Sequence, residues 1–219
     1  MKIKLQLDGL LRDYKGAFEL CYALFRNTDV TEYNFNPYNN EEILNTFDFS
    51  SKHVELTFKD DKDPFSALKE EKNIVIDNKT GYMEFQNNYG YELFSTSNNR
   101  VYRKVFDDLN KLVKICHDKG HELTLISNEV DHTVGFTMLF LNSNGCRIRK
   151  YDFSTKTAKE AWKNCDLLIT DNPEFLWNVP FFGFFKKTVK LKTKYNENIV
   201  SDYNISNLSD LFELKYFKK

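Results

Sequence analysis

Apolar and polar positions alternate from Ile3 to Leu7 and stop at Asp8-Gly9; in "GAFELCYALFRN" Phe18, Cys21, Tyr22 and Phe25 then follow at the spacing of one helix face. The pattern predicts strand, loop, helix. From about Asn27 to Asn99 the periodicity breaks up: polar and aromatic residues mix, "NPYNN" and "DNKTG" mark turns, and "HVELTF" and "NIVI" read as short strands. Regularity returns in "NRVYRKVFDDLNKLVKICHDKG", where Val101, Val105, Leu109, Leu112, Val113 and Cys116 form one apolar stripe and Gly120 ends the helix. "ELTLIS" predicts a buried strand ending at Ser127, followed by a helix from about Asp131 to Leu141 and a strand around "CRIRKYDF". A helix across "TAKEAWKN", an apolar strand "CDLLIT" ending at Thr170-Asp171, a strand at "TVKLK" and a short closing helix at "NLSDLFEL" complete the chain. Strands alternating with helices imply an α/β fold on a mainly parallel, doubly wound, Rossmann-like sheet.

Composition narrows the classes. A chain of 219 residues suits one domain with an insertion, or two small domains. Its 31 basic and 32 acidic residues leave a net charge of -1, so no global field draws nucleic acid or anionic lipid. Cys21, Cys116, Cys146 and Cys165 are widely spaced without a CxxC, which fits buried thiols in a reducing compartment. There is no signal-type apolar stretch, and no run reaches the roughly 20 apolar residues that span a bilayer. A soluble, cytoplasmic protein is expected. The abundance of Asn, Lys, Phe, Tyr and Ile is what an AT-rich genome encodes, as in a low-GC bacterium or its phage.

In an open parallel sheet, ligands sit beyond the carboxyl ends of the strands, where loops and helix N-termini converge. Three predicted strand ends carry short polar groups, Asp8, Ser127 and Asp171, and Lys156 precedes the helix that leads into the third. Each residue also has a plain structural reading. Asp8 can order its turn, Ser127 or Asp171 can cap a following helix, and Lys156 can be a solvated helix-start residue.

In that order the residues resemble the haloacid dehalogenase (HAD) superfamily, in particular its small nucleotidase-like members of phage and bacterial type. "LQLDGLLRD" is similar to the first motif, in which the family has Asp-x-Asp-Gly; "LTLISNE" to the second through Ser127; "CDLLITDNPE" to the fourth through Asp171. Lys156 in "FSTKTAKEAW" is the candidate for the third, ahead of Lys159 and Lys163. The resemblance covers residues 1–18 and 101–219 as a HAD-like core domain and leaves 19–100 as an inserted cap segment. It implies that Ser127 and Lys156 bind phosphate, that Asp8 keeps the acid/base position, and that Asp171 is a weak or vestigial metal ligand.

The departure lies at position 6. The family attacks phosphorus with the first Asp of its motif, and this chain has Gln6 there. A carboxylate can form an acyl phosphate; a neutral amide oxygen is weakly nucleophilic and leaves no intermediate that water can turn over. Loss of a nucleophile in another hydrolase class costs on the order of 10⁶ in turnover. The fourth motif is also thinned, with Thr170-Asp171 where many relatives have two adjacent carboxylates, so Mg²⁺ binding is expected to be weak.

"FLWNVPFFGFF" packs Phe175, Trp177, Phe181, Phe182, Phe184 and Phe185 into eleven positions, either as core or as an exposed protein-contact surface. Lys190, Lys192 and Lys194 share one face of a predicted strand, a pattern that more often solubilises a sheet edge than meets phosphate. His117 and His121 lack further metal ligands, and His53 and His132 stand alone.

The expected function is that of a catalytically degenerate HAD-like binding or structural module without a cofactor. Its expected partner is a protein, within a virion or other assembly if the source is a phage, and neither nucleic acid nor membrane. Two alternatives stand beside it: an active Mg²⁺-dependent phosphatase or 5'-nucleotidase using another nucleophile, such as a water activated by Asp8, and a nucleotide- or phosphate-binding protein that does not hydrolyse.

Overall fold

The computed structural model describes residues 1–58, 69–95, 103–129, 133–180 and 185–218. These divide into two compact units, one of Met1–Asn34 with Gly90–Lys219, the other of Phe35–Tyr89, so that the second interrupts the first in sequence. No helix among the described residues is long and apolar enough to cross a membrane.

The first unit is built on a six-stranded sheet. Its strands are β1 (Lys2–Gln6), β4 (Glu122–Ile126), β5 (Tyr151–Asp152), β6 (Leu167–Thr170), β7 (Lys187–Leu191) and β8 (Tyr203–Ile205), in the order β5-β4-β1-β6-β7-β8. Every pairing is parallel, with Leu5 beside both Leu125 and Ile169. The expected doubly wound α/β architecture is met. Side-chain alternation explains why both faces are covered: Ile3, Leu5, Leu125, Leu167, Ile169 and Val189 bury one face together with Phe106, Leu109 and Leu112 of α5 (Arg103–Asp118) and Phe140 and Leu141 of α6 (Val134–Ser143). Ile126 and Leu168 point to the other face, against Ala158, Ala161 and Trp162 of α7 (Ala158–Trp162) and Phe175 of α8 (Pro173–Trp177).

Two helices of this unit, α1 (Tyr14–Arg26) and α4 (Gly90–Ser95), carry Tyr14 and Phe94, whose rings lie 5.5 Å apart. Asp13 caps α1 by accepting from the Gly16 N–H at 3.0 Å. Cys21, Cys116 and Cys165 are buried free thiols, and Cys146 is half-buried and free. Burial pushes Cys21 up to about 12 and Cys116 and Cys165 up to about 11, so none of these three supplies a thiolate at neutral pH.

The second unit holds α2 (Asn40–Thr46), the antiparallel pair β2 (Ser51–Phe58) and β3 (Lys69–Ile76), and α3 (Asn78–Asn88). Its core is aromatic: Phe35 meets Phe47 edge-on at 4.9 Å, and Phe49 lies 5.1 Å from both Tyr82 and Phe85. The two helices carry little apolar periodicity, which is why the sequence pattern predicts only strands here. Side-chain caps define them instead, Asn39 accepting from Glu41 and Glu42 and Asp77 from Lys79 and Thr80.

Other differences have physical causes. The strand expected around "CRIRKYDF" contracts to Tyr151–Asp152, because β5 is a sheet edge that pairs only opposite Leu125 and Ile126. The closing helix is a 3-10 segment, Leu208–Glu213. The three-residue β8 was too short for any pattern to reveal, yet it covers β7, so the lysine-bearing strand is interior and not an edge. Lys190 there is buried, and its ammonium donates to the carbonyls of Asn196 at 3.1 Å and Ile199 at 2.5 Å.

Leu5 is fully buried at the centre of the sheet. Leu5→Ala is expected to lower unfolding free energy by about 2–5 kcal/mol, whereas Val200→Ala, at an 89% exposed site, should change it by less than ~0.5 kcal/mol in the same urea titration.

Candidate functional site

The carboxyl ends of β4, β1 and β6 lie side by side, so the chain leaving each strand delivers Ser127, Asp8 and Asp171 to one edge of the sheet. All three are buried, as is Gln6. After β1 the backbone turns tightly: the Gly9 N–H donates to the Arg12 carbonyl at 2.8 Å, and the Leu11 N–H to the Leu7 carbonyl at 2.9 Å. This turn folds Arg12 back onto Asp8.

Arg12 is completely buried. Its Nε donates to Asp8 Oδ1 at 2.6 Å and its Nη2 to Glu129 Oε1 at 2.9 Å. Nη1 donates to Thr137 Oγ1 at 2.7 Å and to the Phe94 carbonyl at 3.1 Å, and the Phe94 ring faces the guanidinium at 4.8 Å. The Ser127 hydroxyl lies 3.0 Å from Asp8 Oδ2 and 2.8 Å from Glu129 Oε1, and its single proton serves one carboxylate at a time. Thr133 Oγ1 donates to Glu129 Oε2 at 2.8 Å. Burial alone would weaken the guanidinium's hold on its proton; the Asp8 and Glu129 charges outweigh that, and the Arg12 pKa moves above its ordinary value.

Gln6 lies beside the end of β6, where the Thr170 hydroxyl donates to its Oε1 and accepts from the Asn172 N–H at 2.9 Å. Asp171 is fully buried. Its Oδ2 accepts the Tyr195 hydroxyl, and its carbonyl accepts Asn196 Nδ2 at 2.8 Å. Burial first, and then the Asp171 charge, raise the Tyr195 pKa, so the phenol remains a donor. Gly9 has φ +78°, and a Cβ there would fall 1.9 Å from Asp171 Oδ2; only glycine lets the carboxylate lie this close to the β1 loop.

The remaining predicted site residues fall elsewhere. Lys156 is exposed, and only its backbone N–H is held, by Glu160 Oε2 at 2.8 Å, beside the Thr157–Glu160 capping box of α7. Asn172, not Asp171, caps α8, with Pro173 in the first turn. Ser127 does not cap α6, whose N-cap is Thr133. Phe175 belongs to the core, its carbonyl accepting Trp162 Nε1 at 2.9 Å, while Trp177 and Phe185 are 75% and 93% exposed. Phe181, Phe182 and Phe184 lie outside the described residues.

Sequence reasoning passed over Arg12, Glu129, Thr137, Tyr195 and Asn196. A basic residue four positions after Asp8 and a carboxylate two after Ser127 were the available signals; nothing local marks Tyr195.

The residues present do not suit Mg²⁺, which takes hard, preferably anionic oxygens. Gln6 is neutral and accepts from Thr170, Asp8 faces Arg12 and Ser127, and Asp171 accepts from Tyr195. Among the described residues no group of three or more His, Cys, Asp or Glu side chains is arranged to hold a metal ion.

No protein-family model and no curated protein matches the chain. Among solved structures it is similar to a HAD-superfamily hydrolase, subfamily IA, variant 1, from Geobacter sulfurreducens PCA, at 9% identity and a TM-score of 0.44, over 97% of this chain and 94% of that one.

Arg12→Met strands two buried carboxylates. It is expected to cost about 3–5 kcal/mol in equilibrium urea unfolding, and a loss below ~1 kcal/mol would show that the network is not a structural tie.

Proposed function

We propose that the first unit is a HAD-like domain that does not transfer phosphoryl groups through an aspartyl phosphate and serves instead as a binding or structural module. The order of Asp8, Ser127 and Asp171 on three adjacent parallel strands supports the likeness. One observation carries the loss of chemistry: the group at the attacking position is the amide of Gln6, with its oxygen already accepting the Thr170 hydroxyl. The neighbouring Asp8 carboxylate is paired with the buried Arg12 and lies against Ser127, which supports a structural part for it.

Nor is the phosphate-binding pair of the motif assembled. Ser127 is turned to Asp8 and Glu129, and the Lys156 amine is out in solvent. The exposed indole of Trp177 and ring of Phe185 support a protein as partner, since large aromatic groups in water are the residues that anchor interfaces.

Purified protein incubated with Mg²⁺ and p-nitrophenyl phosphate or a nucleoside monophosphate panel is expected to release phosphate no faster than Gln6→Ala. Robust wild-type turnover that Gln6→Ala abolishes would overturn the proposal.

A further inference from the structure

We propose that an open cavity at the carboxyl ends of β7 and β8 binds the phosphoryl group of a small phosphorylated molecule. Lys192 Nζ and Asn204 Nδ2 are its hydrogen-bond donors, and the buried Lys190 ammonium is its fixed positive charge. The cavity measures about 750 Å³ and shares no lining residue with the crevice around Asp8, so it stands or falls independently of the proposed function. An ammonium buried as deeply as that of Lys190, 5% exposed, normally faces a carboxylate. Here its acceptors are the neutral carbonyls of Asn196 at 3.1 Å, Glu197 at 3.5 Å and Ile199 at 2.5 Å, and no carboxylate among the described residues forms an ion pair with it. Its charge has no side chain to balance it, in a residue that lines the cavity.

The strand register sets Asn204 directly beside Lys190, and side-chain alternation puts Lys192 on the same face. Asn204 Oδ1 lies 3.2 Å from the Ser201 hydroxyl, which turns the amide so that Nδ2 is left to a ligand; neither Nδ2 nor the Lys192 ammonium donates to a described residue. Lys194, a third cation of the lining, is engaged with Glu32 at 3.0 Å, and Glu197 is the carboxylate of the lining. Lys190 and Lys192 against Glu197 leave an excess of positive charge. A phosphate monoester carries about −1.5 to −2 at neutral pH and matches two ammonium groups better than a singly charged carboxylate does. The cavity has the size of a small-molecule site, and Ile199 and Val200 give it an apolar wall for the body that bears the phosphate.

The test is isothermal titration calorimetry of the full chain with phenyl phosphate, inorganic phosphate and benzoate, on wild type, Lys192→Gln, Glu197→Gln and Lys156→Gln. All three substituted side chains are exposed, so each variant is expected to fold as wild type does. Wild type is expected to bind phenyl phosphate more tightly than either of the other probes. Lys192→Gln should weaken that binding about fivefold or more, and Glu197→Gln should tighten it about twofold. Absence of binding to wild type overturns the proposal, as does benzoate or inorganic phosphate binding as tightly as phenyl phosphate. Binding that Lys192→Gln leaves unchanged, or that Lys156→Gln weakens as much as Lys192→Gln does, also overturns it. Phosphate release from phenyl phosphate, with binding still weakened in Lys192→Gln, would remove the proposed function and leave this site standing.

Discussion

A guanidinium with no exposure to solvent must find partners for all its N–H groups, and that demand organises the strand-end crevice of this protein. Arg12 is held by two carboxylates, a hydroxyl and a backbone carbonyl drawn from the β1 turn, the segment after β4, α6 and α4. Burying such a network brings little net stability, because desolvation offsets much of the attraction. Its contribution is positional. Asp8 and Ser127 hold the orientations they have because the arginine and its carboxylate partners fix them, and the turn from Leu7 to Arg12 is closed by backbone hydrogen bonds that bring the two ends of the ion pair together.

The same constraint shapes the chemistry available at the sheet edge. Near β1 and β6, Gln6 Oε1 accepts the Thr170 hydroxyl, Asp8 Oδ1 accepts Arg12 Nε and Asp171 Oδ2 accepts the Tyr195 hydroxyl. Three side chains meet these oxygens: the Thr170 hydroxyl at Gln6, the Arg12 guanidinium at Asp8 and the Tyr195 phenol at Asp171. Arginine suits this role because its charge cannot be titrated away and its planar fork serves several acceptors at once.

Periodicity made much of the sheet legible in the sequence. β1 alternates apolar and polar positions, β4 and β6 end their apolar positions at polar residues, and the stripe of α5 is unmistakable because one face must cover the sheet. The small elements were not legible: β8 has three residues, β5 has two, and α2 and α3 owe their ends to Asn39 and Asp77 more than to any apolar face. At the candidate site, Asp8, Ser127 and Asp171 stood out because ligands sit beyond the carboxyl ends of parallel strands, and Gln6 because the resemblance implies an Asp at its position. Arg12 looked like an ordinary loop residue, since only the fold buries it. Lys156 shows the converse: a cation at the right place in the chain, with an amine that the fold leaves in water.

The central claim is that the crevice is filled from within by the Arg12 ion pairs, and the most direct measurement is hydrogen exchange at the Arg12 Nε–H by ¹⁵N NMR, with and without Mg²⁺ and inorganic phosphate. Exchange that is slow, limited by unfolding of the sheet and unmoved by either addition is the predicted result. Rapid exchange, or a resonance that shifts as Mg²⁺ or phosphate is added, would mean that the guanidinium meets solvent and that the crevice opens to ligands.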